Sequence, residues 1–166
     1  MEVRSIETIV KTLNDANVQY LIVGGLAVNA HGYERLTVDV DLVIGLQPEN
    51  ITRALYALRS IGYQTRIPVS PEEFANRENR EAWRKDKQML VLQLWSDAHL
   101  RTPIDVFVYE PFDFAEEYAK ARKEAVFADI QAPVICYETL LAMKREAGRP
   151  KDLLDIEALK KLDSYR

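Results

Sequence analysis

The chain of 166 residues is 48% apolar and carries a formal net charge of −4, which suits one globular domain, or one domain with a small appendage. A single cysteine, Cys136, excludes a disulfide framework, and no apolar run reaches membrane-spanning length, so we expect a soluble cytoplasmic protein without membrane contact. The negative charge means that any nucleic-acid binding would need a local basic patch.

The first part of the chain alternates helical and strand patterns. The predicted elements are a helix near 6–13, a strand over 18–23 that stops at Gly24-Gly25, a short helix over 26–31, a strand over 36–45, a helix over 48–62 and a short strand over 62–67. Proline near the start of the longer helix and glycine just past its end are typical helix boundaries.

The middle of the chain is unusually charged: ten of the sixteen residues from Glu72 to Lys87 carry a charge, with Phe74 and Trp83 as the only large apolar anchors. This composition predicts a solvated helix or a flexible excursion. Further along we expect strands over 88–95 and 104–110 joined as a hairpin, a helix over 112–125, a strand over 131–137, and terminal helices split at 147–150. The order of elements predicts an α/β or α+β domain with a mixed sheet flanked by helices.

Two aspartates interrupt the strand pattern in the stretch "ERLTVDVDLVIG". Side chains alternate along a strand, so Asp39 and Asp41 share one face, with α-carbons about 7 Å apart. The strand "IDVFVYE" repeats the pattern with Asp105. If the two strands are neighbours, three carboxylates converge on one patch.

Clustered carboxylates raise one another's pKa unless cations neutralise them. Carboxylate oxygens favour Mg²⁺ or Mn²⁺, and a pair of such ions is a known clamp for in-line attack at phosphorus. The alternative is that the aspartates merely end strands at a solvated edge. Gly24-Gly25 ends the preceding strand, where bare backbone N–H groups can hold a phosphate, and this favours the site.

These residues give the chain a resemblance to the polymerase-β nucleotidyltransferase superfamily, whose signature is an apolar residue, Gly-Gly or Gly-Ser, about a dozen residues and then Asp-x-Asp. Here the signature reads "VGGLAVNAHGYERLTVDVDLVI", and Asp105 matches the third carboxylate. The form "GGLAVNAHG..R.T.DVDL" resembles the bacterial abortive-infection (AbiEii-like) toxin branch. The segment "LLAMKREAGRPKDLLDIEAL" is similar to a helical motif of that branch, and its matching positions are Lys144, Arg149, Lys151, Asp152 and Asp155.

The resemblance implies a polymerase-β-like core over residues 1–136 and a short helical element over 137–166. It also implies attack of a hydroxyl on the α-phosphorus of a nucleoside triphosphate, with pyrophosphate leaving. Asp39 and Asp41 would hold two Mg²⁺ or Mn²⁺ ions, and Asp105 would hold one of them while helping to deprotonate the hydroxyl. Gly24 and Gly25 would let the backbone approach the β- and γ-phosphates.

Five further residues are candidates for the same site. Arg35 and Thr37 precede the Asp-x-Asp motif and are assigned to nucleotide binding, although Arg35 could instead tether a catalytic aspartate. The resemblance makes Lys144 a phosphate contact. Lys151 is assigned to nucleotide binding and Asp152 to a supporting role, while a structural lysine–aspartate pair or a helix start explains them equally well.

The acceptor stays open among an RNA 3′ end such as that of tRNA, a protein hydroxyl and a small hydroxylated molecule. Toxin-like modification is the first expectation from the resemblance, with a homodimer or a cognate antitoxin as protein partner. Two alternatives are a glycosyltransferase, which ranks well below, and a non-catalytic partner-binding module such as an antitoxin or assembly subunit.

Overall fold

The computed structural model describes residues 1–166 and contains seven strands and eight helices. The strands are β1 Tyr20–Val23, β2 Val40–Ile44, β3 Gln64–Thr65, β4 Val91–Trp95, β5 Ile104–Phe107, β6 Arg122–Phe127 and β7 Ile130–Val134. The helices are α1 Val3–Asp15, α2 Gly24–Ala30, α3 Pro48–Ser60, α4 Pro71–Ala75, α5 Arg77–Lys87, α6 Phe114–Lys120, α7 Tyr137–Ala147 and α8 Pro150–Asp163.

All seven strands belong to one mixed sheet in the order β3-β4-β5-β2-β1-β7-β6. In its centre β2 pairs antiparallel with β1 and parallel with β5, and β1 pairs parallel with β7. The hairpin predicted from residues 88–110 is confirmed as the antiparallel pair β4–β5. Helices flank this sheet, so the predicted mixed α/β architecture is correct.

The core forms because apolar side chains recur at strand and helix periods. Leu42 of β2 and Val106 of β5 are buried, while Asp41, Asp105 and Phe107 on the other face are partly exposed. Helix α1 buries Ile6, Ile9 and Leu13 at helical spacing. Each such side chain stabilises the fold by about 1.5–3 kcal/mol, which fixes the central strands that carry the aspartates.

The charged middle segment forms helices, as predicted by the first of the two interpretations of its composition. Helix α4 begins at Pro71, and the Ser70 hydroxyl caps it by accepting from the Glu73 amide. Phe74 is fully buried, and its ring lies 6.2 Å from that of the partly buried Trp83. These two anchors attach α4 and α5 to the domain, and all the charged side chains of the two helices except the buried Arg80 remain in solvent.

Several predicted elements are shorter in the structure, and two of them are wrong over the most residues at one end. The helix expected over 112–125 stops at Lys120, because Arg122–Phe127 pairs with β7 as a hairpin whose turn contains Ala128 at a positive φ. The strand expected over 36–45 begins only at Val40, and Leu36 and Val38 are 97% and 67% exposed. Residues 36–38 have no partner strand, so their alternating pattern does not form part of the sheet.

The C-terminal helices are split where the sequence predicted. Gly148 adopts a left-handed conformation after α7, and Pro150 starts α8. Helix α7 contacts both α2 and α8. The division into a core over 1–136 and an element over 137–166 stays a prediction. None of the helices has the length and apolar character needed to cross a bilayer.

Candidate active site

The register of two central strands brings two of the predicted carboxylates side by side. Asp41 of β2 lies opposite Asp105 of β5 in the parallel ladder. Asp39 lies in a bend immediately before β2 rather than inside the strand, and it remains close enough for its charge to act on both neighbours. The predicted convergence of three aspartates on one patch is therefore present.

The charges in this patch are not balanced. Burial raises the pKa of Asp41 to about 7, and the charges of Asp105 and Asp39 add to the rise against a smaller lowering by Lys144. Burial also raises the pKa of Asp105, and the charge of Asp39 raises it further. Both carboxyls are thus costly to ionise in the protein alone, as expected where a bound cation would supply the missing charge.

One oxygen of the patch has no hydrogen-bond partner. Oδ1 of Asp105 is buried and unpaired, although the Gln93 amide beside this carboxyl lowers its pKa. A hard cation is the kind of ligand that such an oxygen can bind. No group of three or more acidic, histidine or cysteine side chains is arranged to hold a metal ion by itself. Mg²⁺ commonly completes its octahedron with water and substrate phosphate oxygens, so an open set of carboxylates fits it.

The glycine pair is required by close packing against the same patch. Gly24 adopts φ +62°, and a β-carbon on it would lie 2.0 Å from Oδ2 of Asp41. A β-carbon on Gly25 would lie 2.2 Å from Oγ1 of Thr37. The Gly25 amide also donates to Asp41. Glycine at both positions therefore lets the start of α2 approach the aspartate and Thr37.

Arg35 connects the loop before β2 to the last helix. Its Nε and Nη2 donate to the two carboxylate oxygens of Asp155 at 2.6 and 2.8 Å, and its Nη1 donates to the Leu36 carbonyl at 2.9 Å. The alternative in which Arg35 tethers Asp39 or Asp41 is therefore wrong, and its assignment to nucleotide binding stays a prediction. The bidentate geometry fixes the guanidinium next to Gly25, since a β-carbon there would lie 3.3 Å from Nη1.

A buried lysine joins two aspartates of α8. Lys144 Nζ lies 3.0 Å from Oδ1 of Asp152 and 2.8 Å from Oδ2 of Asp155. Burial would raise the pKa of Asp152, but hydrogen bonds from Arg149 and Lys144 outweigh it and hold that pKa at about 2. These residues form the C-terminal ion network, whose members are Arg35, Lys144, Arg149, Asp152 and Asp155.

The C-terminal ion network borders the carboxylate patch. The charge of Lys144 lowers the pKa of Asp41. The hydrogen bond to Asp152 raises the pKa of Arg149, and the charges of Asp152 and Asp41 raise it further. Three cations and two anions therefore stand beside the aspartates and Gly24-Gly25, and their one net positive charge offsets part of the negative charge of the patch.

Solved structures share this arrangement of strands and helices. The lincosamide antibiotic adenylyltransferase LnuA matches with a TM-score of 0.58 and 17% identity over 96% of this chain and 97% of its own. The antibiotic-resistance factor ANT(2'')-Ia matches with a TM-score of 0.60 and 14% identity over 95% of this chain and 80% of its own. The fold is that of the polymerase-β-like nucleotidyltransferases.

A nucleotidyltransferase-like protein from Paracoccidioides brasiliensis has the same nucleotidyltransferase fold, with a TM-score of 0.54 and 17% identity over 98% of this chain and 78% of its own. No protein-family model and no curated protein matches the sequence. The abortive-infection branch therefore stays a resemblance.

Two features of the site could not be predicted from the sequence: the position of Lys151 and the neighbours of Asp105. Lys151 is exposed at the start of α8 and makes no hydrogen bond or ion pair, so the structure does not bring it into the network. Conversely, Gln93 and Arg66 act on Asp105 without any motif to mark them. Gln93 could have been found only from the β4–β5 register, which places it opposite Asp105.

Proposed function

We propose that this protein is a metal-dependent nucleotidyltransferase that moves a nucleoside monophosphate from a triphosphate to a hydroxyl acceptor. The observation that carries the proposal is the placement of Asp41 opposite Asp105, with Asp39 adjacent and one buried Asp105 oxygen unpaired. Such a patch requires a counter-charge, and it lies in a fold shared with an adenylyltransferase. Asp39 and Asp41 would hold two Mg²⁺ or Mn²⁺ ions and Asp105 one of them. When bound, these ions neutralise the phosphate charge and orient the reacting oxygens.

In the proposed reaction the acceptor oxygen forms a bond to the α-phosphorus, and the bond from that phosphorus to the β-phosphate oxygen breaks. Pyrophosphate leaves with the bonding electrons. The proton of the acceptor hydroxyl passes to the carboxylate of Asp105, which acts as the general base. Most of the rate enhancement then comes from positioning and charge stabilisation.

The other residues hold the triphosphate and keep the patch in place. Gly24 and Gly25 bring backbone amides beside Asp41, where the leaving phosphates would lie. Thr37 packs on Gly25, so its hydroxyl is available at the same edge. Lys144 contributes a buried positive charge and acts through its carboxylate partners rather than as a free phosphate ligand. Lys151 is exposed at the start of α8 and would contact a phosphate at the periphery of the site.

The acceptor class has support from two directions. LnuA was crystallised with lincomycin bound, which supports a small hydroxylated acceptor and ATP as donor. The resemblance to abortive-infection toxins supports tRNA or protein as acceptor, with a homodimer or an antitoxin as partner. The transfer chemistry is the same in every case.

The test supplies α-labelled and γ-labelled nucleoside triphosphates with Mg²⁺ and a cell extract as the source of acceptors. We expect wild-type protein to transfer the α label and release the γ label as pyrophosphate, and Asp41→Asn to do neither. Asp129→Asn, an exposed acid in the β6–β7 turn, is the matched control and should behave as wild type. Transfer of the γ label would assign a kinase instead. Full activity of Asp41→Asn would refute the proposal, and an antitoxin-like module would show neither transfer nor triphosphate binding.

A further inference from the structure

The face of the sheet that carries Asp105 continues outward as a partly exposed apolar surface. In β4 the even-numbered residues are buried, whereas Val91, Gln93 and Trp95 are partly exposed. The register places Val91 opposite Phe107 and Gln93 opposite Asp105, so these side chains share one face. The open face of this hairpin is therefore continuous with the proposed catalytic aspartate.

Three aromatic side chains flank Asp105 along this hairpin; we call Trp95, Phe107 and Tyr109 the aromatic strip. Phe107 lies two residues from Asp105 on the same face, about 7 Å away at the α-carbons. Its ring centroid is 5.7 Å from that of Tyr109. Arg84 lies 3.7 Å above the Tyr109 ring, which orients that ring by a cation–π contact. All three aromatic residues are partly exposed, although Arg84 covers one face of the Tyr109 ring, so part of the strip faces solvent.

The charges near the strip do not suit a nucleic-acid backbone. Arg84 is stacked on Tyr109, and Arg66 lowers the pKa of Asp105 by its charge. Against them stand Asp105 itself and Glu146, whose charge raises the pKa of Tyr109 after the larger effect of burial. A polynucleotide needs several free cations along its track, whereas the two arginines that act on Asp105 and Tyr109 are outnumbered by three acids, Asp39, Asp105 and Glu146.

The proposed transfer needs the acceptor hydroxyl at Asp105. A molecule bound to the aromatic strip would therefore lie next to the position of that hydroxyl. This argument rests on the proposed function. We infer that the aromatic strip binds the acceptor, and that the acceptor is a small hydroxylated molecule that lays an apolar or sugar-ring face on these rings. Aromatic walls with a few convergent polar groups are the usual lining of small-molecule sites. Gln93 is placed to hydrogen-bond a second polar group of such a molecule.

The experiment separates a cell extract into small-molecule, RNA and protein fractions and offers each to the protein with Mg²⁺ and α-labelled nucleoside triphosphates. We expect label in the small-molecule fraction. Phe107→Ala and Trp95→Ala should lower that transfer about tenfold, with Mg²⁺-dependent triphosphate binding unchanged in equilibrium dialysis. Tyr56→Ala on α3, also an exposed aromatic, is the matched control and should transfer as wild type does.

Each other outcome overturns a defined part of the inference. Label in RNA or protein would overturn the acceptor class and leave nucleotidyl transfer intact. Label in small molecules that neither Phe107→Ala nor Trp95→Ala reduces would overturn the role of the strip. If the wild-type protein labels no fraction and releases no pyrophosphate, the proposed function fails, and this inference fails with it.

Discussion

Replacing Asp41 by asparagine should make the protein more stable above pH 7 when no divalent cation is present. The pKa of this carboxyl rises from its ordinary 3.8 to about 7 on folding. Between those pH values the folded protein holds a proton that the unfolded chain has released, so wild-type stability falls as the pH rises through this range. The loss amounts to at most about 4 kcal/mol, since each pKa unit corresponds to 1.36 kcal/mol. Asparagine keeps the shape and does not titrate.

Urea unfolding at a series of pH values, with a chelator or with Mg²⁺, measures this effect. In chelator the wild-type free energy of unfolding should fall between pH 3.8 and about 7, and the Asp41→Asn curve should be flatter. Asp105 titrates with the same sign, so some slope remains in the variant. Mg²⁺ should restore wild-type stability above pH 7 and leave Asp41→Asn unchanged. Parallel curves for the two proteins, with or without Mg²⁺, would refute the reasoning.

Two further substitutions test the structure around the patch. Lys144→Met removes the buried cation shared by Asp152 and Asp155 and should lower the free energy of unfolding by about 3 kcal/mol, the low end for a broken buried pair because each carboxylate keeps an arginine partner. Gly25→Ala would put a β-carbon 2.2 Å from Thr37 Oγ1, so both the melting temperature and the transfer rate should fall despite the better helix propensity of alanine. Adding Thr37→Ala should recover only part of the loss, because the Thr37 β-carbon lies 2.7 Å from the same position.

Matched controls for these substitutions are available in the same chain. Lys160→Met changes an exposed lysine of α8 and should leave the free energy of unfolding as it is. Gly45→Ala meets no atom closer than 3.2 Å, so it should cost less than Gly25→Ala. Wild-type stability of Lys144→Met, or a Gly25→Ala protein that melts as Gly45→Ala does, would contradict the packing described above.

The sequence predicted the centre of the fold because the central strands are specified locally. Alternation around Asp41 and Asp105 marks each strand, and each of the two strands has a neighbouring strand on both sides in the sheet. The edge strand β6 escaped prediction because "RKEA" has the polar composition of a helix, and only its pairing with β7 makes it a strand. Leu36 and Val38 caused the opposite error, a strand predicted where none forms. Their alternating pattern has no partner strand, and both residues are exposed.

The site was predictable only where a motif lies within one element. The three carboxylates and the glycine pair could be found from spacing. The link from Arg35 to Asp155 joins residues 120 positions apart, and its geometry depends on how α8 docks, which periodicity does not reveal. For the same reason the sequence placed Arg149 and Asp155 in a motif but did not predict which side chains they contact. The position of Gln93 beside Asp105 follows only from the strand register.

Binding of Mn²⁺ and triphosphate to the aspartate patch is the most direct test of the central claim. Free Mn²⁺ is measured by electron paramagnetic resonance while it is titrated into wild type, Asp41→Asn and the Asp129→Asn control, each with a non-hydrolysable nucleoside triphosphate. Free Mn²⁺–triphosphate complex, measured without protein, sets the baseline. We predict that wild type and Asp129→Asn bind Mn²⁺ and triphosphate together, and that Asp41→Asn binds neither above that baseline. Equal Mn²⁺ and triphosphate binding by wild type and Asp41→Asn, or none by wild type, would contradict the account.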